Sequence, residues 1–359
     1  MMDINQIVSR PIFFERNRVG RVYTGGALYA DFFGDDGTDG YLPEEWMASA
    51  VRALNKESAG PKEGVSKVRG TDIWFDDLLA SHKPQLLGGR ENFALLVKML
   101  DSAIRLPVQA HPSKAFSRVH FKSDYGKAES WIVVGVRPGA KIYMGFSEKV
   151  EPQRFEAAIE ASKTKGVDEF SAFLNEYHVQ PGDCFFIPAR VIHAVGPGCL
   201  ILEVQEPSDF TISPEYWCGE YSQTEAEMYL GLDKATAVSV FDFETYGEEV
   251  LWQNKLSPKV VADGGGVRRE SIIDDKITDC FSLNRITVSG DATDKALLDA
   301  APAIYVVTNG EGELFGDDDR SPLKKGDYFF LPAAANGKFG ITSHAEGGIE
   351  VYECLPPKA

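Results

Sequence analysis

The stretch Pro181-Gly182-Asp183-Cys184-Phe185-Phe186-Ile187-Pro188-Ala189 returns near the C-terminus as Lys325-Gly326-Asp327-Tyr328-Phe329-Phe330-Leu331-Pro332-Ala333, identical at six of nine positions. Each copy reads as a Gly-Asp turn, an apolar strand, and a proline that ends the strand at a sheet edge, because proline cannot donate to a ladder. A turn and strand repeated in one chain predict two related β units. The copies then diverge: His193 stands five residues beyond Pro188, whereas Gly337 stands five beyond Pro332. If the histidine is a ligand, the first unit alone carries the site.

Outward from this repeat, 34 Gly and 19 Pro separate short runs rich in Val, Ile, Phe and Tyr, the pattern of an antiparallel β protein with many turns. Ser130–Val136, Cys184–Pro188, Cys199–Val204, Ala303–Val307 and Tyr328–Leu331 read as strands. Helical patterning is confined to Ile73–Ser81, Asn92–Leu100 and Pro152–Ala161. The expectation is a mainly β chain, sandwich or jelly roll, with helical insertions. Residues 1–240 would form the unit with the site and 241–359 a second unit without it; 241–286 reads as acidic, glycine-rich connections.

Charge narrows the partners. Lys plus Arg number 37 against 54 Asp plus Glu, a formal charge of −17, so the surface repels phosphate backbones and anionic membranes. No nucleic acid and no membrane are expected. No apolar run reaches the ~18 residues a spanning helix needs, and Met1–Arg10 lacks the basic-then-apolar order of a secretory signal; the expected location is cytoplasmic. Cys184, Cys199, Cys218, Cys280 and Cys354 are scattered without a Cys-x-x-Cys pair and read as small apolar core residues.

Chemistry is suggested by conjunction. Gln109 and His111 are two positions apart, as are Lys127 and Glu129, and in extended chain that spacing turns both side chains to one face. Polar pairs on otherwise apolar faces need partners, and a metal ion shared with His193 would satisfy them. His82, His120, His178 and His344 have no such company and read as surface or hydrogen-bonded residues.

The segment from Gly182 to His193 resembles the second motif of the cupin superfamily. The whole ordered set is similar to the type I mannose-6-phosphate isomerase (phosphomannose isomerase) family. That set comprises Val108-Gln109-Ala110-His111-Pro112-Ser113-Lys114-Ala115, Gly126-Lys127-Ala128-Glu129-Ser130-Trp131, Ile192-His193-Ala194-Val195-Gly196-Pro197-Gly198 and Leu202-Glu203-Val204-Gln205, with Pro43-Glu44-Glu45-Trp46 upstream. The likeness spans about residues 20–217. It implies two tandem cupin domains, a zinc site, and interconversion of mannose 6-phosphate with fructose 6-phosphate. By position it implies Gln109, His111, Glu129 and His193 as metal ligands. Two imidazoles, a carboxylate and an amide oxygen leave room for substrate, as a catalytic zinc site requires; Mn, Co or Fe would suit the same donors. Lys127 falls at the family's lysine position, where a neighbouring cation would favour the neutral amine for proton transfer. His111, Lys127 and a metal-bound water all stand as candidates for the catalytic base.

Two positions depart from the family pattern. Pro107 stands where the family often has serine, and Thr211-Ile212-Ser213 where it usually reads Thr-x-Arg. A sugar phosphate must then be met by other cations, for which Lys98, Lys114 and Arg190 are the candidates. The alternatives are a divergent cupin isomerase acting on another sugar or sugar phosphate, a sugar-binding or regulatory cupin without turnover, and an iron dioxygenase, which can also use two His and one carboxylate.

Overall fold

A computed structural model of the chain describes residues 3–56, 59–289, 298, 300–317 and 319–358. Two large antiparallel sheets dominate. In one, neighbours follow the order Lys255–Leu256, Cys184–Ile187, Glu129–Val136, Cys199–Gln205, Leu96–Asp101, Glu44–Met47, Arg18–Val19. The main path of the other runs Ile12–Phe13, Tyr328–Leu331, Ala303–Phe315, Ile349–Leu355, Ser282–Val288, Val267–Ile273, Lys259–Gly264. A smaller sheet of Leu174–His178, Lys141–Phe146 and His193–Val195 packs on the first, with Trp131, Val133, Ile142, Met144, Phe185 and Ile201 filling the space between. The architecture is the mainly β, jelly-roll one that the short apolar runs and frequent turns predict.

The repeated stretch occupies corresponding slots in the two sheets. Ile187 lies opposite Glu129, and Leu331 lies opposite Ala303. Glu203 faces Lys98 on one side and Trp131 on the other, just as Glu353 faces Asn284 and Tyr305. The two units therefore share one plan, but at the slot of Glu129 the second has an alanine. All five cysteines are free and buried.

The two sheets also pack back to back. Val97, Met99, Ile132 and Leu202 of the first share one apolar cluster with Ile304, Val306, Phe330 and Cys354 of the second. This packing corrects one expectation: within Asn92–Leu100, patterned as helix, Leu96–Asp101 is a strand with all six residues buried. Val97 and Met99 face the neighbouring unit while Leu100 faces inward. A segment apolar on both faces has no period to separate helix from strand, and the slot between Glu44–Met47 and Cys199–Gln205 decides it.

Helices form at Phe75–Ser81 and Pro152–Ala161 as patterned. The latter has proline in its first turn, where no N–H is needed, and buries Phe155, Ala158 and Ile159. Residues 241–286, read as connections, instead hold a hairpin of Lys259–Gly264 and Val267–Ile273. Gly265 and Gly266 turn it with φ of +61° and +79°, which side chains bearing a Cβ resist. Among the described residues no helix is long and apolar enough to cross a membrane.

Candidate active site

Gln109 and His193 exchange backbone hydrogen bonds at 2.9 Å, and Ala110 and Ile212 do so at 3.0 Å. These short bridges lay the segment bearing Gln109 and His111 beside the strand that His193 opens. Glu129 opens another strand, with Lys127 two residues before it. The side chains converge: His111 Nε2 lies 3.2 Å from His193 Nε2 and 3.2 Å from Glu129 Oε2, and Glu129 Oε1 lies 3.4 Å from His193 Nε2. Lys127 Nζ lies 3.1 Å from His111 Nε2 and 3.2 Å from Glu129 Oε2. All four residues are buried.

The surroundings fix how these groups are protonated. His111 Nδ1 lies 2.9 Å from the Phe210 carbonyl and His193 Nδ1 lies 2.8 Å from that of Val191; a carbonyl only accepts, so each Nδ1 carries the hydrogen and each Nε2 a lone pair. Burial, reinforced by Lys127, pushes the His111 imidazole down to about 3, and burial likewise lowers His193. Burial opposes ionisation of Glu129, yet Lys127 holds its carboxyl well below the usual carboxylate range. Two lone pairs thus face each other beside a carboxylate whose Oε2 lacks a well-directed hydrogen bond. Lys127 Nζ reaches two of these acceptors, His111 Nε2 and Glu129 Oε2, and the convergence of His193 Nε2 and Glu129 Oε1 on the same point fits a metal ion, held by neutral imidazoles that carbonyls orient. Among the described residues, this is the cluster of His, Cys, Asp or Glu able to hold one, its ligand atoms all within 4.8 Å.

Beside the cluster opens a cavity of about 970 Å³ lined by Gln109, Lys127, Pro107 and Ser213. Lys98 lines it too, buried, 3.1 Å from Glu203 Oε1 and 3.8 Å from Glu44 Oε2. Lys114 and Arg190, the other expected phosphate cations, are not in its lining. Lys114 sits on the helix Lys114–His120 and pairs with Asp279 at 3.0 Å. Arg190 donates to the carbonyls of Val240 at 3.2 Å and Phe241 at 3.5 Å, spending its guanidinium on tying two loops together.

Among the charged groups of the wall to which sequence reasoning assigned no role are Arg21, Glu44 and Glu203. Although burial opposes it, Arg21 and Lys98 hold the Glu44 carboxyl down to about 2, helped by hydrogen bonds from Trp46 and Tyr23. Glu203 is raised instead, by burial and by the nearby Glu129. A signal for Glu203 exists: it breaks the apolar series of Cys199 and Ile201, which shares its sheet face.

Comparison with known proteins agrees with this geometry. The family described as mannose-6-phosphate isomerase, cupin domain, matches residues 273–347, within the C-terminal unit. Mannose-6-phosphate isomerase ManA of Bacillus subtilis is 27% identical over 350 residues, covering 95% of this chain and 98% of that protein. Mannose-6-phosphate isomerase of Streptococcus mutans is 30% identical over 206 residues, 57% of this chain and 60% of that one. In fold, a crystal structure of the mannose 6-phosphate isomerase from Bacillus subtilis superposes with a TM-score of 0.76 at 23% identity, over 96% of this chain and 99% of that one. With one profile on the C-terminal unit, a relative aligned over nearly its whole length and a shared fold, the chain is similar throughout to the type I mannose-6-phosphate isomerase family of the cupin superfamily.

Proposed function

We propose that the protein is a metal-dependent aldose–ketose isomerase interconverting mannose 6-phosphate and fructose 6-phosphate, with Gln109, His111, Glu129 and His193 holding the ion. The observation that carries this reading is the convergence of two imidazole lone pairs and one carboxylate beside Lys127 at the wall of a sugar-sized cavity. Zinc suits the donors, and Mn, Co and Fe suit them as well. Residues 1–240 would be the catalytic unit and 241–359 a supporting one, consistent with the alanine at the slot of Glu129.

Isomerisation removes the proton on C2 and delivers one to C1, while O1 gains a hydrogen and O2 loses one. A divalent ion, when bound, supplies Lewis acidity toward the substrate oxygens and offsets charge on the enediolate. The remaining work falls to the chain. Lys127 lies in the lining, within reach of a substrate carbon or oxygen, and can hold or pass the migrating proton. Glu203, paired with Lys98 at 3.1 Å and lining the cavity, can take the hydrogen that a substrate hydroxyl loses and return it. His111 and His193 stay neutral and oriented by their carbonyls. Apolar lining from Leu100 and Leu106 limits water near the reacting carbons.

Metal analysis of the purified protein and a coupled assay for fructose 6-phosphate test the reading. About one ion per chain, turnover of mannose 6-phosphate, and loss of both on chelation are the expected results. Turnover unaffected by complete removal of metal would refute it.

A further inference from the structure

Arg21 is the part of the cavity wall that the isomerase chemistry leaves unused. Its guanidinium is held on three sides: Nε lies 3.0 Å from Glu44 Oε2, Nη1 donates to Asn55 Oδ1 at 3.0 Å, and Nη2 donates to Asp209 Oδ1 at 3.0 Å. The Trp46 ring lies 5.1 Å away. The partners are themselves fixed. Asn55 Nδ2 donates to the Gly20 carbonyl and to Glu63, while Asp209 accepts from the Leu54 N–H. Three engaged donors of a guanidinium's five leave two for a ligand, on a fork that cannot swing. Rigid donors flanked by carboxylate acceptors match a chain of hydroxyl groups, each of which both donates and accepts.

They do not match a dianion. Arg21 is balanced by Glu44 and Asp209, Lys98 by Glu203, and Lys127 by Glu129. The cavity lining holds four cationic and five acidic side chains, so no side chain of the inner wall offers a phosphate an unbalanced positive charge. Lys56 differs, lining the same cavity with its side chain 55% exposed and its carboxylate partner, Glu227, 3.7 Å away.

We propose, resting on the phosphosugar reading above, that Arg21 grips the hydroxyl groups of the sugar and that the anionic group points outward to Lys56. Arg21 is then a specificity-determining residue that fixes which way round the substrate lies.

The test is calorimetric binding of D-mannitol 1-phosphate, a hexitol phosphate that cannot isomerise, to the metal-loaded full chain at low and at moderate salt. Arg21→Lys keeps the charge and loses the fork; it is expected to weaken binding at least about tenfold while leaving the salt dependence as in the parent. Lys56→Ala is expected to remove most of the salt dependence. An Arg21→Lys affinity within about twofold of the parent, or loss of the salt dependence in that variant, would overturn the proposal. Should Arg21→Lys fail to fold, Lys56→Ala, made at an exposed side chain, still decides the orientation: unchanged salt dependence rejects it. A parent chain that does not bind the probe at all rejects the phosphosugar reading and this inference with it, whereas binding without turnover strikes the isomerase assignment alone.

Discussion

Replacing Glu129 by glutamine removes one negative charge and almost no volume. In the parent this carboxylate faces Lys127 Nζ at 3.2 Å, His111 Nε2 at 3.2 Å and His193 Nε2 at 3.4 Å, and accepts from Trp131 Nε1 at 3.0 Å. The amide can still accept from Trp131, but Lys127 is left buried without a carboxylate. Breaking a buried pair from one side costs ~3–5 kcal/mol, and the retained shape favours the lower figure. At ~2–4 °C per kcal/mol for units of this size, the metal-free variant should melt roughly 6–12 °C below the parent. A second decrement appears with metal. Zinc at a hundredfold excess over its Kd adds ~2.7 kcal/mol to a protein that binds it only when folded, and the variant should forfeit most of that gain. Calorimetric melting in chelator and then across a zinc titration reads both effects. A Glu129→Gln protein that melts with the parent in chelator and gains equally from zinc would refute both the ion pair and the ligand assignment.

Lys127→Met should keep the metal and the fold but lose roughly 10²–10⁴-fold in turnover, measured by coupled assay beside metal content; unchanged turnover would remove the proton-transfer role. Glu44 sets an acid limit: its carboxyl sits at about 2 when folded against an ordinary 4.5, so as pH falls the unfolded chain takes up the proton first. Stability from this ionisation is complete above the unfolded value and is lost as pH falls toward the folded one, ~3 kcal/mol in all. Urea unfolding of Glu44→Gln should therefore show a shallower decline across that range than the parent. Lys114→Ala and Arg190→Ala should leave KM for mannose 6-phosphate unchanged, with Arg190→Ala less stable by about 1 kcal/mol for two lost carbonyl contacts; a raised KM in either would return that residue to the substrate site.

The convergence of His111, Lys127, Glu129 and His193 was legible because each is announced locally. Gln109 with His111, and Lys127 with Glu129, carry period-two spacing, and the repeated Gly-Asp turn delivers His193 at a fixed distance. The cationic groups of the cavity wall were harder to read, because nearness in sequence to His193 or Gln109 says nothing of which way a side chain turns. Arg190 lies three residues from a ligand and spends its donors on Val240 and Phe241, whereas Arg21, remote in sequence, reaches the wall through Asp209. Lys98, a lone charge amid apolar residues, is as compatible with a snorkelling surface lysine as with a buried one. Its pairing with Glu203 across two strands comes from tertiary register. The same register explains why Leu96–Asp101 is strand: no local pattern marks a segment covered on both faces.

The strand Ile12–Phe13, from the start of the chain, completes the sheet of the C-terminal unit, while Lys255–Leu256, from beyond the repeat's first copy, completes the sheet of the N-terminal one. The two halves hold each other's edges like clasped hands. Cutting the chain near residue 240 would not release two proteins. It would leave each half with an unpaired sheet edge and, where Val97, Met99 and Leu202 meet Ile304 and Phe330, a bared apolar face inviting aggregation. A C-terminal half that contributes no residue to the His111–Glu129–His193 cluster therefore still bears on it: it keeps the sheet that bears Glu129 covered, and a fault far from the cluster would register there through that shared wall.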